Sequence, residues 1–307
     1  MKKKYIVGID LGGTNLKIAL LDQAFRIIHK HTQPTAQFSQ KDSLIGAIVD
    51  SVEYILKKYD LKRSSVAGAG LGLPGPIDYD RGIVHFFPNI PGWKEVRLSS
   101  ILERQLRLPV CIDNDANVMA LAEFTLGAAK GARNAVCLTL GTGVGGGLIL
   151  NGRLYRGSSY AAGEIGHMPI NEEGPDCNCG GIACLESYIG NQRISLEVRR
   201  IFGKDISLEE VSALAYRGNK KAINLWENVG SHLGVALVSV VNLLNPDCIV
   251  IGGGVANAGA ILFNKVTETI LERAMLVQAQ AVRVVKAELG NDAGMIGAGI
   301  LVKEKTQ

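Results

Sequence analysis

Three short stretches carry the residue types that phosphoryl transfer needs. Gly8-Ile9-Asp10-Leu11-Gly12-Gly13-Thr14-Asn15-Leu16-Lys17 and Leu140-Gly141-Thr142-Gly143-Val144-Gly145-Gly146-Gly147 each set a glycine-rich turn between two apolar strands. Asp113-Asn114-Asp115-Ala116-Asn117 sets acids where an apolar strand gives way to a helix. A turn that cradles phosphate must offer backbone N–H groups with no side chain in the way, which glycine permits. Thr14 and Thr142 add hydroxyl donors at matching places, and Asp10 closes the first strand. A carboxylate there suits a hydrated Mg²⁺, an ion that keeps several waters and takes few carboxylates. Transfer also needs a base to accept the proton of the attacking hydroxyl, and Asp115 is the candidate. Asn114 and Asn117 offer both donors and acceptors, as sugar hydroxyls require. Helix capping competes with this reading, because Asp113, Asn114 and Asp115 are all good N-cap types. Spacing alone leaves the two readings open.

Other nucleotide motifs are absent. No Gly-Lys-Ser/Thr follows four residues after a glycine, so neither turn is a P-loop. Each turn opens a hairpin rather than a helix, which disfavours a dinucleotide-binding, hydride-transfer enzyme. Gly252-Gly253-Gly254-Val255 lies between a buried strand and a helix, a setting that suits adenosine or an α-phosphate. The Gly294–Gly299 run reads equally as nucleotide contact or as tight helix packing. Lys17 lies beyond the first turn, where alternation leaves its direction open, and it reads as support for the turn.

His167, Cys177, Cys179 and Cys184 follow the spacing His-x9-Cys-x-Cys-x4-Cys. Three thiolates and one imidazole form a closed tetrahedral set of the structural zinc type, with no open position for catalysis. Cys111, Cys137 and Cys248 sit in apolar strands and read as core residues. Glu164 and Glu186 flank the cluster, and folding of the loop would bring their carboxylates near one place. Acceptor-only carboxylates suit sugar hydroxyls, though plain surface glutamates have the same pattern.

These residues need elements to hold them. Tyr5–Leu11, Leu16–Asp22 and Phe25–His31 read as consecutive strands, followed by an amphipathic helix over Ser43–Tyr59. A glycine-rich strand follows over Val66–Leu73, then a helix over Leu98–Leu106, a strand over Pro109–Asp113 and a helix over Ala116–Leu126. Ala135–Leu140, Gly146–Asn151 and Arg153–Tyr155 repeat the opening pattern. Ala161–Ser187 has little periodicity. Helices are expected over Leu208–Arg217, Lys220–Leu244, Ala258–Met275 and Ala293–Val302, with strands at Asp247–Ile251 and Val282–Lys286. Alternating strands and helices argue for an α/β fold. The weak internal repeat argues for two similar halves facing each other across a cleft.

The bulk composition sets limits on the remaining classes. The chain has 307 residues, 47% of them hydrophobic, enough for a large core and one or two domains. The net charge of +4 is scattered apart from Lys2-Lys3-Lys4, read as a solvated terminus; no basic stripe marks a nucleic-acid partner. A basic start leading into Asp10 is no signal peptide, and no uncharged apolar run of membrane-spanning length stands out. A cytoplasmic location without membrane contact is expected. The six cysteines would then be reduced.

Asp10–Lys17, Asp113–Asn117, Gly163-Glu164-Ile165-Gly166-His167 and the Cys177–Glu186 run resemble the ROK family of sugar kinases and repressors. The resemblance covers nearly the whole chain. It implies an actin-like ATPase fold: two ribonuclease-H-like domains around a cleft, here 1–114 with 292–307 packing back on it, and 115–291 with the zinc loop. It implies ATP-dependent phosphorylation of a hexose 6-hydroxyl, glucose first, with N-acetylhexosamine or fructose as alternatives. Asp115 would be the base, and Gly75, Asn89, Asn114, Glu164, His167 and Glu186 would contact sugar alongside it. Asp10, Gly12, Gly13, Thr14, Lys17, Gly141, Thr142 and Gly143 would serve ATP and Mg²⁺, with Gly253 and Gly254 near adenosine. His167 would bind zinc through one ring nitrogen, and the metal would orient the pocket. Ala183 stands where the family's run has a second glycine; it is still small, so zinc binding is expected to survive. A homodimer is the default assembly. Family repressors carry a DNA-binding segment ahead of the sugar-binding part, for which the early phosphate turn leaves no room.

Overall fold

The structure, a computed structural model, describes residues 4–38, 40–87 and 92–306. In chain order the elements are β1 (Tyr5–Leu11), β2 (Asn15–Asp22), β3 (Ile27–Pro34), α1 (Lys41–Lys58) and β4 (Val66–Leu73). Next come β5 (Ile77–Asp78), β6 (Ile83–Phe86), β7 (Lys94–Val96), α2 (Leu98–Leu106), β8 (Val110–Asn114) and α3 (Asp115–Thr125). Then follow β9 (Ala135–Leu140), β10 (Val144–Leu150), β11 (Arg153–Tyr155), α4 (Glu186–Ile189), α5 (Asn191–Phe202), α6 (Leu208–Tyr216) and α7 (Lys220–Leu244). The chain closes with β12 (Cys248–Gly252), α8 (Ala260–Arg273), α9 (Leu276–Ala281), β13 (Arg283–Lys286) and α10 (Ala293–Thr306).

Two compact units result. One comprises residues through Thr125, Leu154–Ala162 and the chain from Asn291 onward; the other comprises Leu126–Arg153 and Gly163–Gly290. The boundary therefore differs from the expected one at 114/115. The physical reason is α3, which packs against α10 and β4 and so stays with the first unit. Leu154–Ala162, not anticipated there, also belongs to it.

The first unit is built on a five-stranded sheet in the order β3-β2-β1-β4-β8, with β1, β4 and β8 parallel and β2 antiparallel to β1. Side chains alternate between the two faces of a strand. Val7, Ile9 and Leu11 enter one buried cluster with Leu44, Ile48, Val52 and Ile55 of α1. Burying each such side chain contributes about 1.5–3 kcal/mol, far more than helix propensity differences, so packing fixes α1 in place. On β1 between them, Gly8 meets α10. A methyl at Gly8 would collide with the Met295 carbonyl, and one at Gly297 with that of Val118. Close packing is thus what the Gly294–Gly299 run does in this fold.

The second unit repeats the plan with the order β10-β9-β12-β13, with β9, β12 and β13 parallel and β10 antiparallel to β9. Its long helix α7 buries Leu225, Trp226, Val229, Leu233, Leu237 and Val241 along one side and packs on α8. By length and composition α7 is the one described helix apolar enough to cross a membrane. Its buried stripe is that of a core helix. Several elements escaped the periodicity: the small sheet β5-β6-β7, whose strands are two to four residues long, the short helices α4 and α9, and α5, which buries only Ile194 and Val198.

Candidate active site

In the first unit, the C-terminal ends of the parallel strands carry the candidate residues, the edge at which open α/β sheets bind ligands. At the end of β1, the register sets Asp10 directly opposite Lys17. Lys17 Nζ lies 3.2 Å from Asp10 Oδ2 and donates to the Asn291 carbonyl at 3.3 Å. Burial pushes the Asp10 carboxyl above its ordinary value, with Lys17 opposing that rise. Lys17 thus holds Asp10, as a supporting residue would. The intervening turn closes with Gly12 N–H on the Asn15 carbonyl at 2.9 Å, and Thr35 Oγ1 donates to the Gly12 carbonyl at 2.9 Å. Neither Gly12 nor Gly13 has a positive φ, and a methyl at Gly13 would meet nothing within 4 Å among the described residues. The fold itself does not demand glycine at Gly13.

At the end of β8, Asn114 and Asp115 both meet the start of α3. Asn114 Oδ1 accepts from the Ala116 N–H at 2.9 Å and the Asn117 N–H at 3.4 Å, and so caps α3. Its Nδ2 donates to the Gly75 carbonyl at 3.2 Å, which joins two expected sugar residues. Gly75 has φ +95°, a left-handed conformation that favours glycine. Asp115, half-buried, is the first helical residue, with Oδ1 accepting from the Ala116 N–H at 2.9 Å. Asp113 is buried; Oδ1 accepts from the Asn114 N–H at 2.7 Å and from Asn117 Nδ2 at 2.9 Å, and Arg156 Nε donates to Oδ2 at 2.7 Å. Asn117 is therefore a strut beneath the junction rather than a surface group. Asn89, the other expected sugar contact, lies outside the described residues, as do Lys2 and Lys3.

The second unit gathers its own set. The turn after β9 closes with Gly141 N–H on the Gly143 carbonyl at 2.9 Å, and Asn191 N–H, where α5 begins, donates to the Gly141 carbonyl at 2.9 Å. Glu186 Oε2 accepts the Val144 N–H at 2.8 Å, and a side chain at Gly143 would run into that carboxylate. β12 pairs with β9 so that Gly252 faces Thr139, and a methyl on Gly253, at φ +84°, would strike the Leu140 carbonyl. The Gly141–Gly143 and Gly252–Gly254 turns are thereby neighbours. At Gly141, as at Gly13, a methyl would meet nothing within 4 Å among the described residues.

His167 stands between two groups. Its Nδ1 lies 3.6 Å from Cys177 Sγ, and its Nε2 lies 3.9 Å from Glu164 Oε2. Cys179 and Cys184 sulfurs are 3.7 Å apart, and all four candidate ligand atoms lie within 4.8 Å of one another. Metal–sulfur bonds of about 2.3 Å and a metal–nitrogen bond of about 2.0 Å at tetrahedral angles put sulfurs about 3.8 Å apart. The cluster fits such an ion. Burial first, then the crowding sulfurs of Cys177 and Cys179, push the Cys184 thiol up to about 12, a cost that a cation among them removes. Ala183, in the glycine's place, is fully buried at φ +53°. Glu164 and Glu186 share no hydrogen bond; one pairs with His167, the other with the Val144 turn. Sequence reasoning missed that Glu186 contact and missed Arg156, since a lone arginine after a short strand carries no signal. Cys111, Cys137 and Cys248 are buried, and burial pushes the Cys111 thiol up.

Comparison with known proteins follows this geometry. The model of the family described as ROK matches residues 6–305. A glucokinase of Halalkalibacterium halodurans is 38% identical, over 99% of this chain and 97% of the relative. A xylose repressor of Bacillus spizizenii is 30% identical, over 99% of this chain and 78% of the repressor. Among solved structures, a ROK family glucokinase from Streptomyces griseus in complex with glucose and AMPPNP superposes with a TM-score of 0.81 at 28% identity, covering 98% of this chain and 99% of that one.

Proposed function

The chain belongs to the ROK family, and from that premise we propose that it is an ATP-dependent hexose kinase that converts glucose to glucose 6-phosphate. The observation that carries the reading is the β8–α3 junction. Asn114 accepts two N–H groups of the first turn of α3, and the Asp115 carboxylate shares only the Ala116 N–H with it; a half-buried carboxylate at that strand end is the type of base that phosphoryl transfer needs. Asp115 would take the proton from the sugar 6-hydroxyl as its oxygen attacks the γ-phosphorus of ATP, with ADP leaving. Gly75, Asn89, Asn114, Glu164, His167 and Glu186 would hold the other sugar hydroxyls. Gly12, Gly13, Thr14, Gly141, Thr142 and Gly143 would form the turns that bind the ATP phosphates, with Gly253 and Gly254 toward adenosine. Asp10, steadied by Lys17, would hold the nucleotide's hydrated Mg²⁺, which neutralises phosphate charge when bound.

His167, Cys177, Cys179 and Cys184 would hold zinc. It supplies no chemistry beyond fixing the imidazole, since the ligand set is closed. Nδ1 facing the sulfurs leaves Nε2, beside Glu164, for sugar. We place the enzyme in the cytoplasm, where ATP is available.

A panel of hexoses in a coupled ADP-release assay tests the substrate. Glucose should be turned over best, with N-acetylglucosamine, N-acetylmannosamine and fructose weaker by at least about tenfold. ADP release indifferent to every sugar, or specific DNA binding in a salt-titrated shift assay, would refute the kinase reading.

A further inference from the structure

Arg156 sits on the Leu154–Ala162 segment, in the same unit as the β8–α3 junction. Its side chain is 15% exposed and its partner Asp113 2% exposed. The guanidinium is clamped on two sides: Nε on Asp113 Oδ2 at 2.7 Å, and Cζ 3.8 Å above the centre of the Tyr79 ring. Ala162 N–H closes the segment on its own Arg156 carbonyl at 3.0 Å, and Tyr160 Oη ties it to Asp80 at 2.6 Å. Fold stability gives little reason for this arrangement. Replacing a buried ion pair with apolar groups is often neutral or stabilising. Here Arg156 Nη2 is moreover buried without a hydrogen-bond partner among the described residues, which adds a cost.

The Asp113 carboxylate does have a job at the junction. One oxygen fixes the Asn114 N–H and the Asn117 side chain. That sets the backbone from which Asn114 caps α3 and Asp115 projects. An anionic Asp113 two residues from the base would also hinder ionisation of Asp115, because like charges raise a carboxyl's proton affinity. Resting on the reading of Asp115 as base, we infer that Arg156 is a positioning residue for it: it neutralises and orients Asp113, and through Asp113 holds the junction in register. The other groups around the pair include Glu304 and Lys305 on α10, Tyr79 after β5, Cys111 on β8, and Tyr160 with Asp80 and Asp78 beside it. Burial pushes the Glu304 carboxyl up, and Arg156 opposes that rise.

The test is the pH profile of kcat/KM for glucose in Arg156→Ala and Arg156→Lys, with Asp115→Asn assayed alongside. Arg156→Ala should lose about 10–100-fold in kcat, as expected for a misplaced catalytic group, with little change in KM for ATP. Its acid limb should move up by about one pH unit. Arg156→Lys should return the acid limb to its wild-type place, and guanidinium ion should partly restore Arg156→Ala. An Arg156→Ala enzyme whose acid limb coincides with wild type, and whose lost rate matches its lost folded fraction by circular dichroism, would overturn the inference. Should Arg156→Ala not fold, the neutral pair Asp113→Asn/Arg156→Met replaces it: kcat stays low if the inference holds, and near-normal kcat overturns it. Turnover surviving in Asp115→Asn would instead sink the base assignment itself, so the two failures are separable.

Discussion

Gly13 and Gly141 are the residues at which fold and ligand make different demands. Neither has a positive φ, and a methyl on either would meet nothing within 4 Å among the described residues. Gly13→Ala and Gly141→Ala should therefore change stability by less than about 0.5 kcal/mol. Each should raise KM for ATP about tenfold, because the added methyl would hold a phosphate off the backbone that glycine lets it approach, and thermal melts with ATP titrations of the kinase rate would check both. Gly143 contrasts with them, because its own fold places Glu186 against it. Ala183 makes a third kind of demand. At φ +53° it already bears the strain that the family's glycine avoids, and Ala183→Val should cost about 1–3 kcal/mol and lower zinc content, read by melting and metal analysis. At this scale the sequence was highly legible for residue types and poorly so for roles. The spacing of His167 and the three cysteines matched the cluster in space. How Asn114 and Asp115 share the start of α3 was not readable, since both types cap well; in the fold both accept the Ala116 N–H, and Asn114 also the Asn117 N–H. Arg156 gave no signal at all, because its partner Asp113 is 43 residues away.

Long apolar elements followed their periodicity. β1, β4, α2, β9, β11 and α7 have the expected bounds, and most others shift by one to three residues at their ends, where fraying and turn geometry compete. Short or polar elements were not readable: β5, β6 and β7 have too few residues for alternation to show, and α5 has too few buried ones. Two predictions belong here. Chelation of the metal from the Cys177–Cys184 loop should lower the melting temperature and abolish glucose turnover together, with re-addition of zinc restoring both. The second concerns α7, where His232 stacks on Tyr188 with ring centres 4.7 Å apart and burial pulls its pKa below 6.5. The unfolded chain takes up that proton near pH 6.5 while the native chain resists. His232 thus contributes stability that is present above pH 6.5 and lost as the pH falls toward its native value. His232→Asn should flatten the decline of melting temperature as the pH falls below about 6.5.

For the molecule as a whole, the duplicated plan was legible because the same strand–turn–strand order occurs twice, and the two sheets share one topology. The unit boundary was less so, because it depends on long-range packing: α10 returns from the far end of the chain to β1, β4 and α3. Truncation after Gly290 should therefore leave the first unit without the helix that covers Gly8 and Gly70, and the product should be insoluble or open to proteolysis within residues 4–125. The central claim is that this fold carries one base, Asp115, for phosphoryl transfer to a hexose. Its most direct test is ADP release with glucose and MgATP by the wild-type chain and by Asp115→Asn, together with glucose binding by each. The account predicts sugar-dependent turnover in the wild type, a loss of at least about a thousandfold in kcat for the variant, and glucose affinity within about tenfold. Turnover by Asp115→Asn within tenfold of wild type would contradict it.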